Sequence, residues 1–202
     1  MAKLQQISYR NNSALPIGDK SLTVALQEIR YIVTDVDGVL TNGTINLDGG
    51  TSEWKGFSVR DGVGVWLAQQ ADIEVAILTG RLVPVVHRRA NDLGIKHIVG
   101  RPINEKADGF LALQQEWHAS KEQILYIGDD LIDIPVFPYC GVSVAPADAD
   151  THVIHTATAI TRVNGGQGVL REVVEAVLHA QNRWDTIISE HFNIELSSPN
   201  AS

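Results

Sequence analysis

The sequence has little cysteine and little positive charge. Cys140 is the single cysteine among 202 residues, which excludes a disulfide within the chain and is typical of a reducing cytoplasm. The 16 lysines and arginines stand against 24 aspartates and glutamates, for a net charge of −8. This balance argues against nucleic acid or an anionic membrane surface as the main partner. An anionic substrate would therefore need a cation placed close to it.

Long apolar runs are also missing from the sequence. No stretch approaches the roughly 20 apolar residues of a membrane-spanning helix, and the first 20 residues contain no apolar segment typical of a signal peptide. We therefore expect a cytoplasmic protein. The length suffices for one compact domain. We predict this domain over residues 21–190, between a flexible leader, residues 1–20, and a flexible tail, residues 191–202.

Short apolar runs alternate with segments of helical periodicity along most of the chain. The runs predict strands and the periodic segments predict helices. This alternation predicts an α/β fold with a three-layer, Rossmann-like parallel sheet. Asp-Gly-Gly between two β-prone runs predicts an inserted β-hairpin. The predicted strands are Tyr31–Thr34 and residues 74–79, 96–101, 123–130, 141–145 and 159–163, and the predicted helices are Leu22–Ile29, Gly62–Ala71, residues 82–93 and 105–118, and Val169–His179.

Polar side chains of a few types stand where these strands end. In a parallel sheet, ligands bind at the carboxyl ends of the strands. Groups that are scattered in the sequence but follow different strands should therefore meet in space. The residues at these positions are Asp35, Asp37, Thr79, Lys106, Asp129 and Asp130.

The acids suggest a metal-dependent reaction at a phosphate group. Residues i and i+2 of a strand point to the same side, so Asp35 and Asp37 can face one site. In a pocket that also held Asp129 and Asp133, the carboxylates would repel one another without a hard cation. Oxygen ligands without histidine suit Mg²⁺. A phosphate could then lie between the metal and Lys106. One carboxylate could attack phosphorus, and the other could protonate the leaving alcohol and later activate water. The plainer alternative is that these acids cap helices or face solvent.

The segments DVDGVLT, ILTGR, Lys106 and GDDLID resemble, in this order, the four motifs of the haloacid dehalogenase-like phosphatases. The resemblance extends from about Tyr31 to Trp184. It implies that Asp35 is the nucleophile, that Asp37 is the acid/base, and that Thr79 and Lys106 hold the phosphoryl oxygens. The Mg²⁺ ligands would be Asp35, Asp37 through its backbone carbonyl, and Asp129, with Asp130 and Asp133 supporting them.

Two other kinds of acidic site use similar residues. An EF-hand loop starting at Asp35 would need glycine at its sixth position and an acid at its twelfth. These positions hold Leu40 and Asn46, so this interpretation fails. A phospho-accepting signalling receiver would order its acids differently along the chain. It remains an alternative from another class, a regulatory switch.

No inserted cap domain fits between the motifs. Only the hairpin and one helix separate Asp37 from Thr79, and one helix and a short strand separate Thr79 from Lys106. FSVRDGVGV, GRP, GDDLIDIPV and NGGQGVLREV resemble the 3-deoxy-D-manno-octulosonate 8-phosphate phosphatases, an uncapped branch of the family. This resemblance implies a Mg²⁺-dependent hydrolase of lipopolysaccharide biosynthesis that releases the free sugar acid and phosphate. It also implies a homotetramer in which the hairpins, residues 44–58, pack together and a neighbour's C-terminal segment reaches the site.

The same resemblance implies a set of contacts to the phosphorylated sugar acid, with Arg60 as the main charged contact. Trp66 and Gln167 stand where basic residues are expected, and Glu53 is a candidate for a change in specificity. A sialic-acid-like 9-phosphate is therefore the alternative substrate, and a non-catalytic phosphosugar-binding module is the alternative from another class. The predicted substrate-binding residues are Asp37, Ser58, Val59, Arg60, Asp61, Gly62, Trp66, Arg81, Arg89 and Lys106.

Some of these residues have plainer explanations. Arg60 and Asp61 could form an ion pair at a helix start, and Arg88 and Arg89 could lie on a solvated helix face. The glycine-rich segment, residues 164–168, could be a simple turn. Its three glycines also leave room for a neighbouring backbone or a ligand.

Overall fold

The computed structural model describes residues 7–8, 20–50, 52–193 and 196–197. Its strands are β1 (Ile7–Ser8), β2 (Tyr31–Thr34), β3 (Asn46–Leu47), β4 (Glu53–Trp54), β5 (Glu74–Thr79), β6 (His97–Gly100), β7 (Ile124–Ile127), β8 (Val142–Ala145), β9 (Ala159–Ile160) and β10 (Leu196–Ser197). Its helices are α1 (Lys20–Gln27), α2 (Val59–Gln70), α3 (Pro84–Asp92), α4 (Lys106–Glu116), α5 (Thr151–Thr156), α6 (Val169–Ala180) and α7 (Trp184–Phe192).

Six strands form one parallel sheet in the order β6-β5-β2-β7-β8-β9. The central strand β2 lies between β5 and β7, and its last residue, Thr34, pairs with Ile77 on one side and Ile127 on the other. The three strands therefore end side by side. The predicted strand positions are confirmed, although β9 is shorter than the segment predicted for it.

The sheet is buried on both faces. Neighbouring residues of β2 belong to different hydrophobic clusters, Ile32 to one and Val33 to the other, because successive side chains point to opposite faces. One cluster packs the sheet against α1, α2, α3, α6 and α7, and the other packs it against α4, α5 and the 3-10 turn Ile134–Tyr139. These layers confirm the predicted three-layer α/β architecture.

The predicted hairpin is also confirmed. Strands β3 and β4 pair in antiparallel fashion, with Asn46 opposite Trp54 and Leu47 opposite Glu53. Only this hairpin and α2 lie between β2 and β5, and only α3 lies between β5 and β6. The described part of the chain therefore contains no cap domain, as predicted.

Two helices were missed by the sequence analysis. Helix α5 has six residues and begins after Asp150, whose side chain accepts a hydrogen bond from the backbone N–H of His152 at 2.8 Å. Helix α7 buries Trp184, Ile187 and Ile188, which have the i, i+3, i+4 spacing of a helix face. That spacing was a usable signal in the sequence.

Most of the predicted flexible leader and tail lies outside the described residues, so both boundaries stay predictions. The described parts of these segments include the short parallel pair of β1 and β10. Helix α7 continues to Phe192, two residues beyond the predicted end of the domain. Every helix in the described ranges is too short or too polar to cross a bilayer.

Candidate active site

The strand ends bring the predicted acids together. Asp35 directly follows β2 and Asp129 follows β7 after one glycine, and these strands are neighbours. Carboxylate oxygens of Asp35, Asp129 and Asp133 all lie within 4.8 Å of one another. We call these three residues the acidic cluster. Asp35 is 3% exposed and Asp133 is fully buried, whereas Asp129 is half-buried, so the cluster meets the molecular surface at Asp129.

Burial changes the acidity of the cluster. Burial, reinforced by the negative charge of Asp133 and opposed by Lys106, raises the pKa of Asp35 from 3.8 to about 7. Burial and then the charges of Asp35 and Asp133 raise the pKa of Asp129 to about 8. Both shifts have the sign expected for carboxylates that are crowded together in a site with few cations.

Lys106 is the cation inside the cluster. Lys106 is the first residue of α4 and is 1% exposed. Its Nζ lies 2.6 Å from Asp35 Oδ2 and 2.5 Å from Asp133 Oδ1. Burial alone would lower the pKa of this ammonium, but the charges of Asp35 and Asp133 raise it overall. Lys106 therefore stays charged and can neutralise only part of the acidic cluster.

Asp133 organises the site and has no oxygen to spare. Its Oδ1 accepts hydrogen bonds from Tyr126 Oη and Lys106 Nζ, both at 2.5 Å. Its Oδ2 accepts from the backbone N–H groups of Asp129 and Asp130 at 2.9 and 3.1 Å. This carboxylate therefore fixes the loop after β7 and the position of Lys106. Its predicted support for a metal ion stays a prediction.

Tyr126 was missed by the sequence analysis. It is fully buried in β7, and its hydroxyl donates to Asp133. Burial and then the charge of Asp133 raise the pKa of the phenol well above 10, so the hydroxyl keeps its proton and donates. The signal was weak, because a tyrosine in the run Ile124–Ile127 reads as one more apolar strand residue.

The acidic cluster fits a divalent cation. Oδ1 of Asp129 is buried and has no hydrogen-bond partner in the described part of the chain. Such an atom is costly to bury without a compensating interaction. The cluster offers carboxylate oxygens without histidine or cysteine, a donor set that suits Mg²⁺. The side chain of Asp37 is not part of the cluster, so a contribution from this residue would have to come from its backbone.

Asp37 is instead held by a lysine that the sequence analysis did not select. Lys55, one residue after β4, has a fully buried side chain, and its Nζ lies 2.5 Å from Asp37 Oδ1. The same Nζ lies 3.0 Å from Glu53 Oε1. The hydroxyl of Thr41 also reaches Asp37 Oδ1, at 3.4 Å. Lys55 thus connects the hairpin to the residue predicted to be the acid/base.

Glu53 continues this connection to the loop after β5. Its Oε2 accepts from Arg81 Nη2 at 2.5 Å and from Arg81 Nε at 3.1 Å. Hydrogen bonds from Arg81 and then from Lys55 lower the pKa of Glu53 to about 2. The predicted substrate contact Arg81 is therefore engaged by a carboxylate of the hairpin.

The other two predicted residues at the strand ends differ in placement. Thr79 ends β5, is 1% exposed, and its Oγ1 accepts a hydrogen bond from the backbone N–H of Arg81 at 3.1 Å. Since Ile77 pairs with Thr34, Thr79 lies beside the segment that carries Asp35. Asp130 is exposed, and its carboxylate accepts from the N–H of Leu131 at 2.7 Å. This contact supports its own turn, and the support predicted from Asp130 for the metal ligands stays a prediction.

The remaining predicted substrate contacts lie around the N-terminus of α2. Ser58 caps this helix by accepting from the N–H of Arg60 at 3.2 Å. Arg89 on α3 donates to the carbonyl oxygen of Ser58 at 3.0 Å and lies over the ring of Phe57, whereas Arg88 is exposed and pairs with Asp92. The solvated-face explanation therefore holds for Arg88 and not for Arg89.

A cavity of about 520 Å³ opens beside α2. It contains none of the acidic cluster. Trp66 lies edge-on to the rings of His191 and Phe192 there, and Val59 is 80% exposed at its rim. The lining residues are Val59, Gly62, Val63, Trp66, Arg89, His191 and Phe192.

Asp61 faces a neighbouring helix. It is 2% exposed, and its Oδ1 accepts from the backbone N–H of Arg171 in the first turn of α6 at 3.0 Å. No Arg60–Asp61 ion pair is found in the described ranges. This carboxylate therefore caps α6, and its predicted contact with substrate stays a prediction.

The glycine-rich segment packs against the loop that follows Asp37. A Cβ on Gly165 would lie 2.1 Å from the carbonyl oxygen of Gly38, so only glycine allows this approach. The N–H of Gly166 donates to the carbonyl oxygen of Val39 at 2.9 Å. The segment is therefore more than a simple turn, since it supports the backbone beside the predicted acid/base.

Comparisons with known proteins identify the family of the chain. A family profile described as haloacid dehalogenase-like hydrolase matches residues 99–173. The chain is 41% identical over 159 residues to 3-deoxy-D-manno-octulosonate 8-phosphate phosphatase of Haemophilus influenzae, covering 78% of this chain and 87% of the relative. The enzyme of the same name from Escherichia coli K12 is 43% identical, with 79% and 84% covered.

A solved structure shows the same fold. The crystal structure of 3-deoxy-D-manno-octulosonate 8-phosphate phosphatase from Moraxella catarrhalis, in complex with magnesium, phosphate and the sugar acid, superposes with a TM-score of 0.82. The two chains are 32% identical, and the match covers 85% of this chain and 98% of the other.

Proposed function

The chain belongs to the family of 3-deoxy-D-manno-octulosonate 8-phosphate phosphatases, and from this premise we propose that it hydrolyses 3-deoxy-D-manno-octulosonate 8-phosphate to the free sugar acid and phosphate. This reaction belongs to lipopolysaccharide biosynthesis. The observation that carries the proposal is the pairing of buried Asp35 with Lys106 at 2.6 Å inside the acidic cluster. Such a pair offers a nucleophile and a phosphate-binding cation at one point.

In the first step, a carboxylate oxygen of Asp35 forms a bond to phosphorus while the bond from phosphorus to the sugar oxygen breaks. Asp37 gives its proton to that leaving oxygen, so that the sugar leaves as an alcohol. Lys106 and the hydroxyl of Thr79 hold the other phosphoryl oxygens. The short contact between Lys106 and Asp35 favours the ionised form of the nucleophile.

In the second step, water attacks the phosphorus of the aspartyl-phosphate. Asp37, now a carboxylate, takes a proton from this water, and the bond between phosphorus and Asp35 breaks. Inorganic phosphate leaves and Asp37 is protonated again. The position of Asp37 two residues beyond Asp35, outside the acidic cluster, supports one residue acting as acid and then as base.

The enzyme is Mg²⁺-dependent. The ion would be held by Asp35, by Asp129 and by the backbone carbonyl of Asp37, with Asp133 orienting the loop that carries Asp129. When bound, it neutralises charge on the carboxylates and on the phosphate oxygens. The orphaned Oδ1 of Asp129 supports this assignment.

The sugar acid would extend from the phosphate toward the N-terminus of α2. Arg60 and Arg89 are the cations available there for its carboxylate, and the exposed side chain of Val59 would border its carbon chain. Arg81 would contact the sugar acid through the guanidinium nitrogen that does not contact Glu53. Trp66 and Gln167 stand where basic residues were expected, so the 9-phosphate of a nine-carbon sugar acid is the second candidate substrate.

We also propose a homotetramer in the cytoplasm. Apolar side chains on and beside the hairpin support the assembly, because Ile45, Leu47 and Trp54 are 47%, 70% and 60% exposed. Exposed apolar residues on a short hairpin favour contact with other subunits, here on both faces, because Trp54 pairs with Asn46 and so lies on the face opposite Leu47. Packing of hairpins would place a neighbour beside an active site that has no cap of its own.

Phosphate release tests the proposed function. The substrates are the 8-phosphate and 9-phosphate sugar acids and a set of hexose phosphates, each with Mg²⁺ or with EDTA. We expect strong Mg²⁺-dependent preference for the 8-phosphate, abolished in Asp35→Asn and retained in Asp92→Asn, an exposed carboxylate on α3. Preference for the 9-phosphate would overturn the substrate, and no release from any ester would favour the non-catalytic module.

A further inference from the structure

Lys55 is a buried cation for which the sequence predicted no role. It follows Trp54, which is 60% exposed, yet its own side chain is 0% exposed. A buried ammonium is costly unless it is paired. Lys55 is paired twice, with Asp37 Oδ1 at 2.5 Å and with Glu53 Oε1 at 3.0 Å. The chain thus places a lysine in direct contact with the acid/base.

All the donors to Asp37 reach the same oxygen. Lys55 Nζ and Thr41 Oγ1 both donate to Oδ1, at 2.5 and 3.4 Å. No residue in the described ranges donates a hydrogen bond to Oδ2 of Asp37. Because Oδ1 faces the ammonium of Lys55, Oδ2 is the oxygen left to exchange a proton with another group. The contacts therefore distinguish the two oxygens of Asp37.

We propose that Lys55 is a positioning residue that fixes Oδ1 of Asp37 and leaves Oδ2 to carry the proton for the leaving oxygen. The proposal rests on the proposed function, because Asp37 acts there as the acid. In the step concerned, the bond from Asp35 to phosphorus forms and the bond from phosphorus to the sugar oxygen breaks. The proton passes from Oδ2 of Asp37 to that oxygen. Lys55 loses no proton and contacts neither the phosphate nor the sugar.

Glu53 holds Lys55 in this position. Its Oε1 lies 3.0 Å from Lys55 Nζ, so this carboxylate pairs with the same ammonium that contacts Asp37. Glu53 is itself fixed by two nitrogens of Arg81. The row Arg81, Glu53, Lys55 and Asp37 thus connects the loop after β5 to the acid through alternating charges.

The test compares two leaving groups. A sugar alcohol is a poor leaving group and needs a proton in the first step, whereas the p-nitrophenolate of p-nitrophenyl phosphate does not. We expect Lys55→Met to lower kcat/KM for the sugar-acid 8-phosphate by roughly 10²- to 10³-fold, within the range for general acid catalysis. For p-nitrophenyl phosphate we expect a loss below about 10-fold. Lys55→Arg, which keeps a donor to Oδ1, should recover part of the selective loss.

Controls separate positioning from folding. Lys96→Met removes an exposed lysine far along the chain from the hairpin and should leave both values unchanged. If Lys55→Met does not fold, Lys55→Gln, which keeps an N–H for Glu53 but reaches less far, should show the same selective loss. An equal loss on both esters would overturn the proposal and assign Lys55 a structural role.

The outcome is distinguishable from failure of the proposed function. If the wild type ignores the 8-phosphate but hydrolyses another alkyl phosphate, the substrate proposal fails and the comparison is made with that ester instead. If the wild type hydrolyses aryl but no alkyl phosphates, Asp37 supplies no proton to a leaving group and the role of Lys55 is overturned.

Discussion

Gly38 makes room for the carboxylate of Asp129. A Cβ added to Gly38 would lie 1.9 Å from Asp129 Oδ2 and 2.3 Å from its Cγ, distances at which one residue must move. Gly38 also has a φ of +86°, a conformation that side chains rarely adopt. The glycine that follows Asp37 therefore serves the metal site opposite as well as its own turn.

The first prediction concerns this contact. We expect Gly38→Ala to displace Asp129 and to weaken Mg²⁺ binding at least about 10-fold. It should also lower kcat/KM by about 100-fold or more, because the metal ligands, the nucleophile and the acid/base all lie beside the loop that carries Gly38. Titration calorimetry with Mg²⁺ and phosphate-release kinetics measure the two effects.

Gly49→Ala is the matched control. Gly49 has a φ of +82°, nearly that of Gly38, but nothing lies within 4 Å of a Cβ placed on it. Its alanine variant has the same backbone strain, about 1–2 kcal/mol, without the collision. If both variants lost Mg²⁺ affinity equally, strain and not the approach of Asp129 would be the cause.

A second prediction concerns Tyr126 and Asp133. Tyr126→Phe removes the hydroxyl that donates to Asp133 at 2.5 Å in a fully buried position. Because a hydrogen bond to a charged group is worth about 1.5–3 kcal/mol, we expect the free energy of unfolding to fall by that amount. Urea denaturation measures it. Tyr139→Phe, at an exposed tyrosine, should change stability by less than about 0.5 kcal/mol. Equal effects would remove the special role of Tyr126.

The site residues that could be predicted from the sequence are marked by features of their own segment of the chain. Asp35 and Asp129 end apolar strands, and the order of these strands in a parallel sheet is enough to bring their ends together. The sequence also predicted the hairpin and the missing cap, because both depend on the spacing between motifs. Lys106 was found by its place at the start of a helix and by family resemblance.

The residues that the sequence did not locate depend on tertiary packing. Lys55 follows a short hairpin and reads as solvent-exposed, and only the docking of the hairpin buries it against Asp37. Tyr126 reads as strand core, since nothing local shows that its hydroxyl meets Asp133. Asp61 was selected as a substrate contact, but nothing local in the sequence shows that its Oδ1 accepts from the backbone N–H of Arg171, because this contact depends on the packing of α2 on α6.

A third prediction follows from the raised pKa values of the metal site. Without metal, the pKa of Asp35 is about 7 and that of Asp129 about 8, both raised mainly by burial. A metal ligand must be ionised, so Mg²⁺ binding should release between about one and two protons at pH 7 and far fewer at pH 9. Affinity should therefore rise with pH across this range.

Calorimetry in two buffers of different ionisation enthalpy counts the released protons. Asp129→Asn should bind Mg²⁺ more weakly and release fewer protons at pH 7. Binding without proton release at pH 7 would contradict the raised pKa values of the acidic cluster.

Asp61 gives a fourth prediction, on stability and pH. Its Oδ1 accepts from the backbone of α6, but its buried Oδ2 has no hydrogen-bond partner in the described part of the chain. Burial, opposed by the N–H groups of Arg171 and Leu170, raises the pKa of Asp61 from 3.8 to about 6. The folded state therefore binds a proton that the unfolded chain has already lost between these two values.

Stability from this group is present below about pH 4 and is lost as the pH rises to about 6, because ionisation is harder in the folded state. A shift of about two pKa units corresponds to about 3 kcal/mol. Asn at position 61 keeps an acceptor for Arg171 and cannot ionise, so Asp61→Asn should gain up to about 3 kcal/mol over the wild type between pH 4 and pH 7. Urea denaturation across this range measures the difference. Asp108→Asn, at an exposed carboxylate of α4, is the control. A pH-independent difference between Asp61→Asn and the wild type would mean that Asp61 ionises as easily in the folded protein as in the unfolded chain.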